Sequence, residues 1–187
     1  MQTKYWREAY GIELQVSINM SPIQFRMTDQ QFDSWLSMIG ELNLPGSALN
    51  IEITEGLLLD DSPAVTSKLH RFREKGVAIS IDDFGTGYSS LAYLRKFDID
   101  YLKIDRQFIK GMQNNEDDIA LCQAIISMAH SLGIEVIAEG IENASQLRLL
   151  KQEDCDMGQG FFISEAVTAA EFSGNFWRDD YLNDRLA

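Results

Sequence analysis

The stretch ISIDDFGTGYSSL, residues 79–91, sets two aspartates at the end of an apolar run and follows them with two glycines. Side chains alternate faces along a strand, so Val77, Ile79 and Ile81 fall on one face and Ala78, Ser80 and Asp82 on the other. Four further runs obey the same parity. In LQVSINM (14–20) Val16, Ile18 and Met20 oppose Ser17 and Asn19, and in LNIEIT (49–54) Leu49, Ile51 and Ile53 oppose Asn50, Glu52 and Thr54. In YLKID (101–105) Leu102 and Ile104 oppose Tyr101, Lys103 and Asp105; in IEVIAE (134–139) Glu139 opposes Val136 and Ala138. Each run offers one oily face and ends in a polar group on the other. MGQGFF (157–162) reads as a sixth strand.

Helical patterns alternate with these runs, the sign of βα units around a largely parallel sheet. Ser62 before Pro63 is an N-cap with proline at the first helical position; Val65, Leu69 and Phe72 share a face, and Gly76 stops the helix. In EDDIALCQAIISMAHSLG (116–133) acidic residues open the first turn, Ile119, Cys122, Ile125, Ile126 and Ala129 form an apolar stripe, and Gly133 ends it. Thr168 with Glu171 predicts a capping box on a last helix.

With 187 residues, 45% of them hydrophobic, the chain is long enough for one domain, 1–187, with a real core. A formal charge of −13 argues against a broad grip on DNA or RNA. Two distant cysteines, Cys122 and Cys155, predict neither a disulfide framework nor a zinc site and fit a reducing, cytoplasmic setting. No apolar run approaches the roughly 20 residues that span a bilayer.

If the oily faces pack on helices, the polar faces point into a barrel or second layer, where a charge is costly unless paired or metal-bound. Asn19, Glu52, Asp82, Asp83 and Glu139 then converge at the carboxyl ends of the strands, with Lys103 as the cation among them. Clustered carboxylates repel, and hard divalent cations relieve that repulsion; all-oxygen ligation points to magnesium, manganese or calcium rather than zinc. Taken singly, each residue has a blander reading. Glu52 alone reads as a solvated charge on an edge strand, the Asp82–Asp83 pair as an Asx turn, and Lys103 as a surface or structural ion pair. Gly85 and Gly87 read either as a bend or as bare backbone approaching phosphate.

The motifs NIEITEG, ISIDDFGTGYSSLAYLRKFDIDYLKID, VIAEGIE and GQGFF, in this order and spacing, resemble those of EAL domains, bacterial phosphodiesterases that linearise cyclic di-GMP to pGpG. The resemblance implies a (β/α)8 TIM-type barrel with one antiparallel strand, about six of its strands present here. It implies Asn19, Glu52, Asp82 and Asp83 as ligands of two Mg2+ or Mn2+ ions, with Ca2+ inhibitory. Lys103 is similar to the lysine that contacts the attacking water, and Glu139 to the glutamate acting as general base or metal partner. Glu55 and Glu142 resemble anchors of the DFGTGYSS loop, which the family couples to dimerisation. Gly85, Thr86, Gly87, Asp105 and Gln159 are similar to substrate-side positions. The partners so implied are cyclic di-GMP, a second copy, and a sensor or GGDEF domain upstream. Two metals would activate a water and neutralise phosphodiester oxygens, which lets an acidic protein hold a dianion.

The family's Glu-Ala-Leu motif and its nearby arginine belong upstream of SINMS and do not occur in this sequence. The expectation is a fragment, or a chain that repairs open sheet edges by self-association, with little or no turnover of its own. Position 166 carries alanine near where the family has proline. Two other functions remain open: a non-hydrolytic cyclic di-GMP receptor or regulatory surface, and an unrelated phosphate-binding barrel.

Overall fold

The computed structural model describes residues 1–58, 62–87 and 91–175. Its strands are β1 (Val16–Asn19), β2 (Leu49–Thr54), β3 (Ala78–Phe84), β4 (Tyr101–Ile104), β5 (Glu135–Glu139) and β6 (Met157–Gln159). Its helices are α1 (Gln2–Tyr10), α2 (Asp29–Glu41), α3 (Glu55–Leu58), α4 (Pro63–Glu74), α5 (Leu91–Lys96), α6 (Arg106–Gly111), α7 (Glu116–Ser131), α8 (Ala144–Gln152) and α9 (Ala169–Asn175). The α/β succession is the expected one. The chain groups into two compact units, residues 1–103 with 132–134, and residues 104–131 with those from 135 onward.

In the first unit the strands follow chain order, with β1 parallel to β2 and β2 parallel to β3. Asn19 stands beside Glu52 and Glu52 beside Ser80; one step further along, Thr54 stands beside Asp82. Neighbours in register share a face, so the polar parity read from the sequence becomes a polar surface across adjacent strands. The opposite face is the core. Ile51, Ile53, Ile79 and Ile81 are buried, as are Leu69 and Phe72 of α4, each such side chain contributing about 1.5–3 kcal/mol. Phe72 meets the rings of Phe32 and Trp35 edge-on at 5.0 and 5.5 Å. The Ser62 hydroxyl accepts from the N–H of Val65, Pro63 occupies the first turn, and Gly76 follows the helix at φ 72°. Asp100 fixes the start of β3: its Oδ2 accepts from the Ile79 N–H at 2.8 Å and from Arg73 at 2.5 Å.

β1 departs from the expected pattern. It begins at Val16 rather than Leu14, and Ile18 on its oily side is 37% exposed, with only Met20 just beyond it buried. β1 is the edge of the sheet, so neighbours cover it from one side only.

In the second unit β5 lies parallel to β6, with Glu139 in register with Gln159. α7 buries Cys122, Ile125, Ile126 and Ala129 and carries Glu116, Asp117 and Asp118 in its first turn; Gly133 follows at φ 75°. Thr168 and Glu171 form the expected capping box of α9, and the Thr168 N–H and hydroxyl hold the exposed Glu171 carboxyl below its ordinary value. β6 is shorter than expected. It stops at Gln159 because the Gly160 carbonyl turns to accept from Ile163 and Ser164, both at 3.0 Å. No helix among the described residues is long and apolar enough to cross a membrane.

Asp156, in the turn before β6, ties that turn to β5 and α7 by accepting from the Val136 N–H at 2.7 Å and from His130 Nε2 at 2.8 Å. Burial pushes its carboxyl up, but the hydrogen bonds from His130 and Val136 outweigh burial and set it below the usual carboxylate value. A carboxylate so depressed stabilises the fold above its unfolded-state value, and that contribution disappears as pH falls through the folded-state value. The urea midpoint of wild type should therefore exceed that of Asp156→Asn at pH 7, with the gap closing below about pH 4. A gap constant down to pH 2 would contradict the assignment.

Candidate metal and catalytic site

Lys103 organises the polar face of the first unit. It is 3% exposed, and its Nζ donates to Glu52 Oε2 at 2.8 Å and lies 3.1 Å from Asp82 Oδ1. Glu52 is itself 6% exposed, and the Asp82 side chain 17%. The solvated-edge reading of Glu52 therefore fails, and of the two ion-pair readings of Lys103 the structural one holds and the surface one does not. Lys103 thus makes two ion pairs away from solvent, and the three residues come from three successive strands.

Asp83 solves a problem that strand alternation poses, since adjacent residues on a regular strand face opposite ways. It adopts φ 56°, in the left-handed region, which breaks the alternation. A carboxylate oxygen of Asp83 comes within 4.8 Å of one on Asp82. Asp82 Oδ1 also accepts from the Asp83 N–H at 3.1 Å, so the turn-like reading of the pair is partly realised beside the acidic one. Asn19, exposed at the end of β1, stands next to Glu52 in register.

The donor set suits a hard cation. Glu52, Asp82, Asp83 and Asn19 offer oxygen alone, with one ammonium, Lys103, for three carboxylates within the set. The thiols offer no alternative chemistry. Burial pushes Cys122 up to about 12, with Asp118 adding to it, and pushes Cys155 up to about 11, so neither supplies a thiolate near neutrality.

Glu55, the first residue of α3, is 4% exposed. Its Oε2 accepts from the N–H groups of Gly85 and Gly87, both at 3.2 Å, while Oε1 finds no hydrogen-bond partner among the described residues. Glu55 thus bonds the backbone of the described part of the loop; residues 88–90 of DFGTGYSS lie outside the described residues. Gly85 is at φ 94°, and a Cβ on Gly87 would come 2.9 Å from Glu55 Oε1, so both glycines are set by this anchorage. The Thr86 hydroxyl donates to the Asp83 carbonyl at 2.8 Å.

In the second unit Glu139, Glu142, Gln159, Arg106 and Phe161 line a cavity of about 220 Å3. Phe161 is 71% exposed, which places a bare ring at its rim. Asp105 leaves the strand to cap α6, its Oδ1 accepting from the Gln107 N–H at 2.7 Å. The Glu142 N–H donates to Gln146 Oε1 at 2.7 Å.

Two buried polar residues are not evident from the sequence pattern. Asn50, 1% exposed and one inward position before Glu52, donates through Nδ2 to Ser17 Oγ at 2.9 Å and Ser80 Oγ at 2.5 Å. Its parity with Glu52 was the available signal. Lys68 of α4 is also buried, and its charge gave no hint of that.

Residues 2–166 match the family model described as "EAL domain". The cyclic di-GMP phosphodiesterase NbdA of Pseudomonas aeruginosa is 43% identical over 130 residues, 70% of this chain and 17% of that protein. The solved structure of the P. aeruginosa MucR phosphodiesterase in complex with c-di-GMP matches at TM-score 0.85 and 34% identity, covering 91% of this chain and 69% of that one. A manganese/cyclic di-GMP complex of BlrP1 from Klebsiella pneumoniae matches at TM-score 0.75 and 25% identity, covering 86% and 41%. The chain spans 19–26% of the length of the first curated relatives it matches. Its fold is an incomplete TIM-type barrel of this kind, and all six strands fall inside the matched region. On sequence and on fold alike, the chain belongs to the EAL domain family.

Proposed function

We propose that this domain hydrolyses cyclic di-GMP to linear pGpG in the cytoplasm, with Mg2+ or Mn2+ held by Asn19, Glu52, Asp82 and Asp83. The observation that carries the reading is the buried Glu52–Lys103–Asp82 arrangement, a costly oxygen-rich group in a chain of this family. When bound, the ions supply Lewis acidity and neutralise phosphodiester charge. Water attacks phosphorus in line with the departing 3′ oxygen; the new P–O bond forms as the old one breaks, and the leaving oxygen takes up a proton. Lys103 holds Glu52 and Asp82 in place and donates to the attacking water, and Glu139 takes the water's proton. Gln159 and Asp105 face the nucleotide together with Gly85, Thr86 and Gly87, while Glu55 and Glu142 hold the loops. Ca2+ is inhibitory. The domain works as a dimer beside a sensor or GGDEF domain of a longer protein.

Asp82→Asn should weaken Mn2+ binding at least tenfold by calorimetric titration and abolish Mn2+-dependent release of pGpG, with little change in melting temperature. Unchanged Mn2+ affinity would overturn the metal assignment. Because the chain alone is expected to show little or no turnover, the receptor reading is tested on the full-length protein: cyclic di-GMP binding there without any pGpG would make the domain a receptor instead.

A further inference from the structure

Lys68 is a buried cation that the reaction does not use. It is 3% exposed on α4, and Nζ donates to the carbonyls of Phe25 at 2.6 Å and Met27 at 2.7 Å while lying 5.8 Å from the centre of the Phe32 ring. Among the described residues no carboxylate pairs with it. An ammonium taken from water and given only carbonyls and an aromatic face is expensive. The Phe25 carbonyl has little recourse to water, since Phe25 is 1% exposed and its bond to Lys68 is buried, whereas Ser21, Pro22, Ile23 and Gln24 of the same segment are exposed.

What a fixed donor supplies, and water does not, is a fixed place. Residues 20–28 are the segment that leaves Asn19. At one end the Met20 N–H donates to the Glu52 carbonyl at 2.8 Å. In the middle the Ser21 N–H bonds Gln24 Oε1 at 2.8 Å and the Gln24 N–H returns to the Ser21 carbonyl at 2.9 Å, closing a tight turn. A 3-10 turn over Gln24–Arg26 follows with Phe25 1% exposed, and Thr28 caps α2. Lys68 satisfies carbonyls at the end of that 3-10 turn, the terminus a cation favours. The segment is thus pinned to β2 beside Glu52 and to α4 at Lys68.

We infer that Lys68 is a positioning residue for Asn19: by clamping residues 20–28 it holds the carboxamide of the exposed edge strand in a metal-binding orientation. This rests on the reading of Asn19 as a metal ligand. The test compares wild type, K68M, K68R, N19A and N19A/K68M by calorimetric titration with Mn2+ and by amide hydrogen exchange over residues 20–28 without metal. K68M should speed exchange in that segment, weaken Mn2+ binding about tenfold, and cost nothing further in the N19A background. K68R, whose fork can serve both carbonyls, should retain binding. If K68M does not fold, K68Q, polar but too short to reach both carbonyls, carries the same comparison. Fast exchange with wild-type Mn2+ affinity, or losses that add fully in the double variant, would overturn the inference. If N19A itself binds Mn2+ normally, the metal reading of Asn19 falls and the inference with it; if N19A weakens binding and K68M does not, only the role of Lys68 falls.

Discussion

Lys103→Met destabilises the metal-free protein by about 3–5 kcal/mol, and saturating Mn2+ returns more stability to the variant than it adds to wild type. The first half follows from burial. Methionine matches the lysine stem in volume, so little packing is lost, but Glu52 at 6% exposure loses the ammonium 2.8 Å from its Oε2. A carboxylate left alone at that depth bears the desolvation cost that the pair had offset. The second half follows from charge. A divalent cation at the same oxygens replaces what the lysine supplied, so its binding is coupled more strongly to folding in the variant; in wild type, Mn2+ at a hundred times its Kd adds about 2.7 kcal/mol. Urea unfolding of both proteins, with EDTA and with Mn2+, measures all four values. Turnover should fall about a hundredfold or more even with metal restored, since the ion does not replace the donor to water. Equal stabilisation of both proteins by Mn2+ would mean that Glu52 and Asp82 are not its ligands.

Strand parity made much of this legible. The alternation of Ile51, Glu52 and Ile53, and of Leu102, Lys103 and Ile104, predicts an oily face and a polar face, and the buried pairing of Glu52 with Lys103 is what that parity becomes when both faces are covered. Parity could not place Asp83, because its orientation depends on a backbone excursion to φ 56° that no periodicity encodes. It also misjudged Ile18, whose exposure is a matter of sheet order rather than of its own strand. The loop glycines 85 and 87 were legible as permissive backbone, but the partner that uses them, Glu55, lies 30 and 32 residues away. Lys68 was hidden for the opposite reason: its type predicts solvent, and only the two carbonyls beneath α4 explain its burial.

Gly160→Ala tests the second unit where glycine is required by space. The Ile141 N–H donates to the Gln159 carbonyl at 3.0 Å and the Phe162 N–H to the Ile141 carbonyl at 2.9 Å, so Gly160 passes directly over the Ile141 peptide. A Cβ there would overlap the Ile141 backbone N, O and C atoms. No rotamer change relieves a clash with backbone; the two hydrogen bonds must lengthen or the strand end must move. Overpacking of about 1–3 kcal/mol together with two weakened hydrogen bonds, each about 1 kcal/mol, gives an expected loss of about 3–5 kcal/mol. Gly40→Ala is the control, because Gly40 lies exposed in α2 with open space at its Cβ; it should gain about 0.5–1 kcal/mol. Gly160 also lines the cavity with Glu139 and Gln159, so the displaced strand end should impair turnover even in the fraction that stays folded. Urea unfolding separates the two variants by sign. A loss below about 1 kcal/mol for Gly160→Ala would show that the 159–162 segment yields without breaking its bonds to Ile141, and the cavity beside Glu139 would then owe its shape to something other than this crossing.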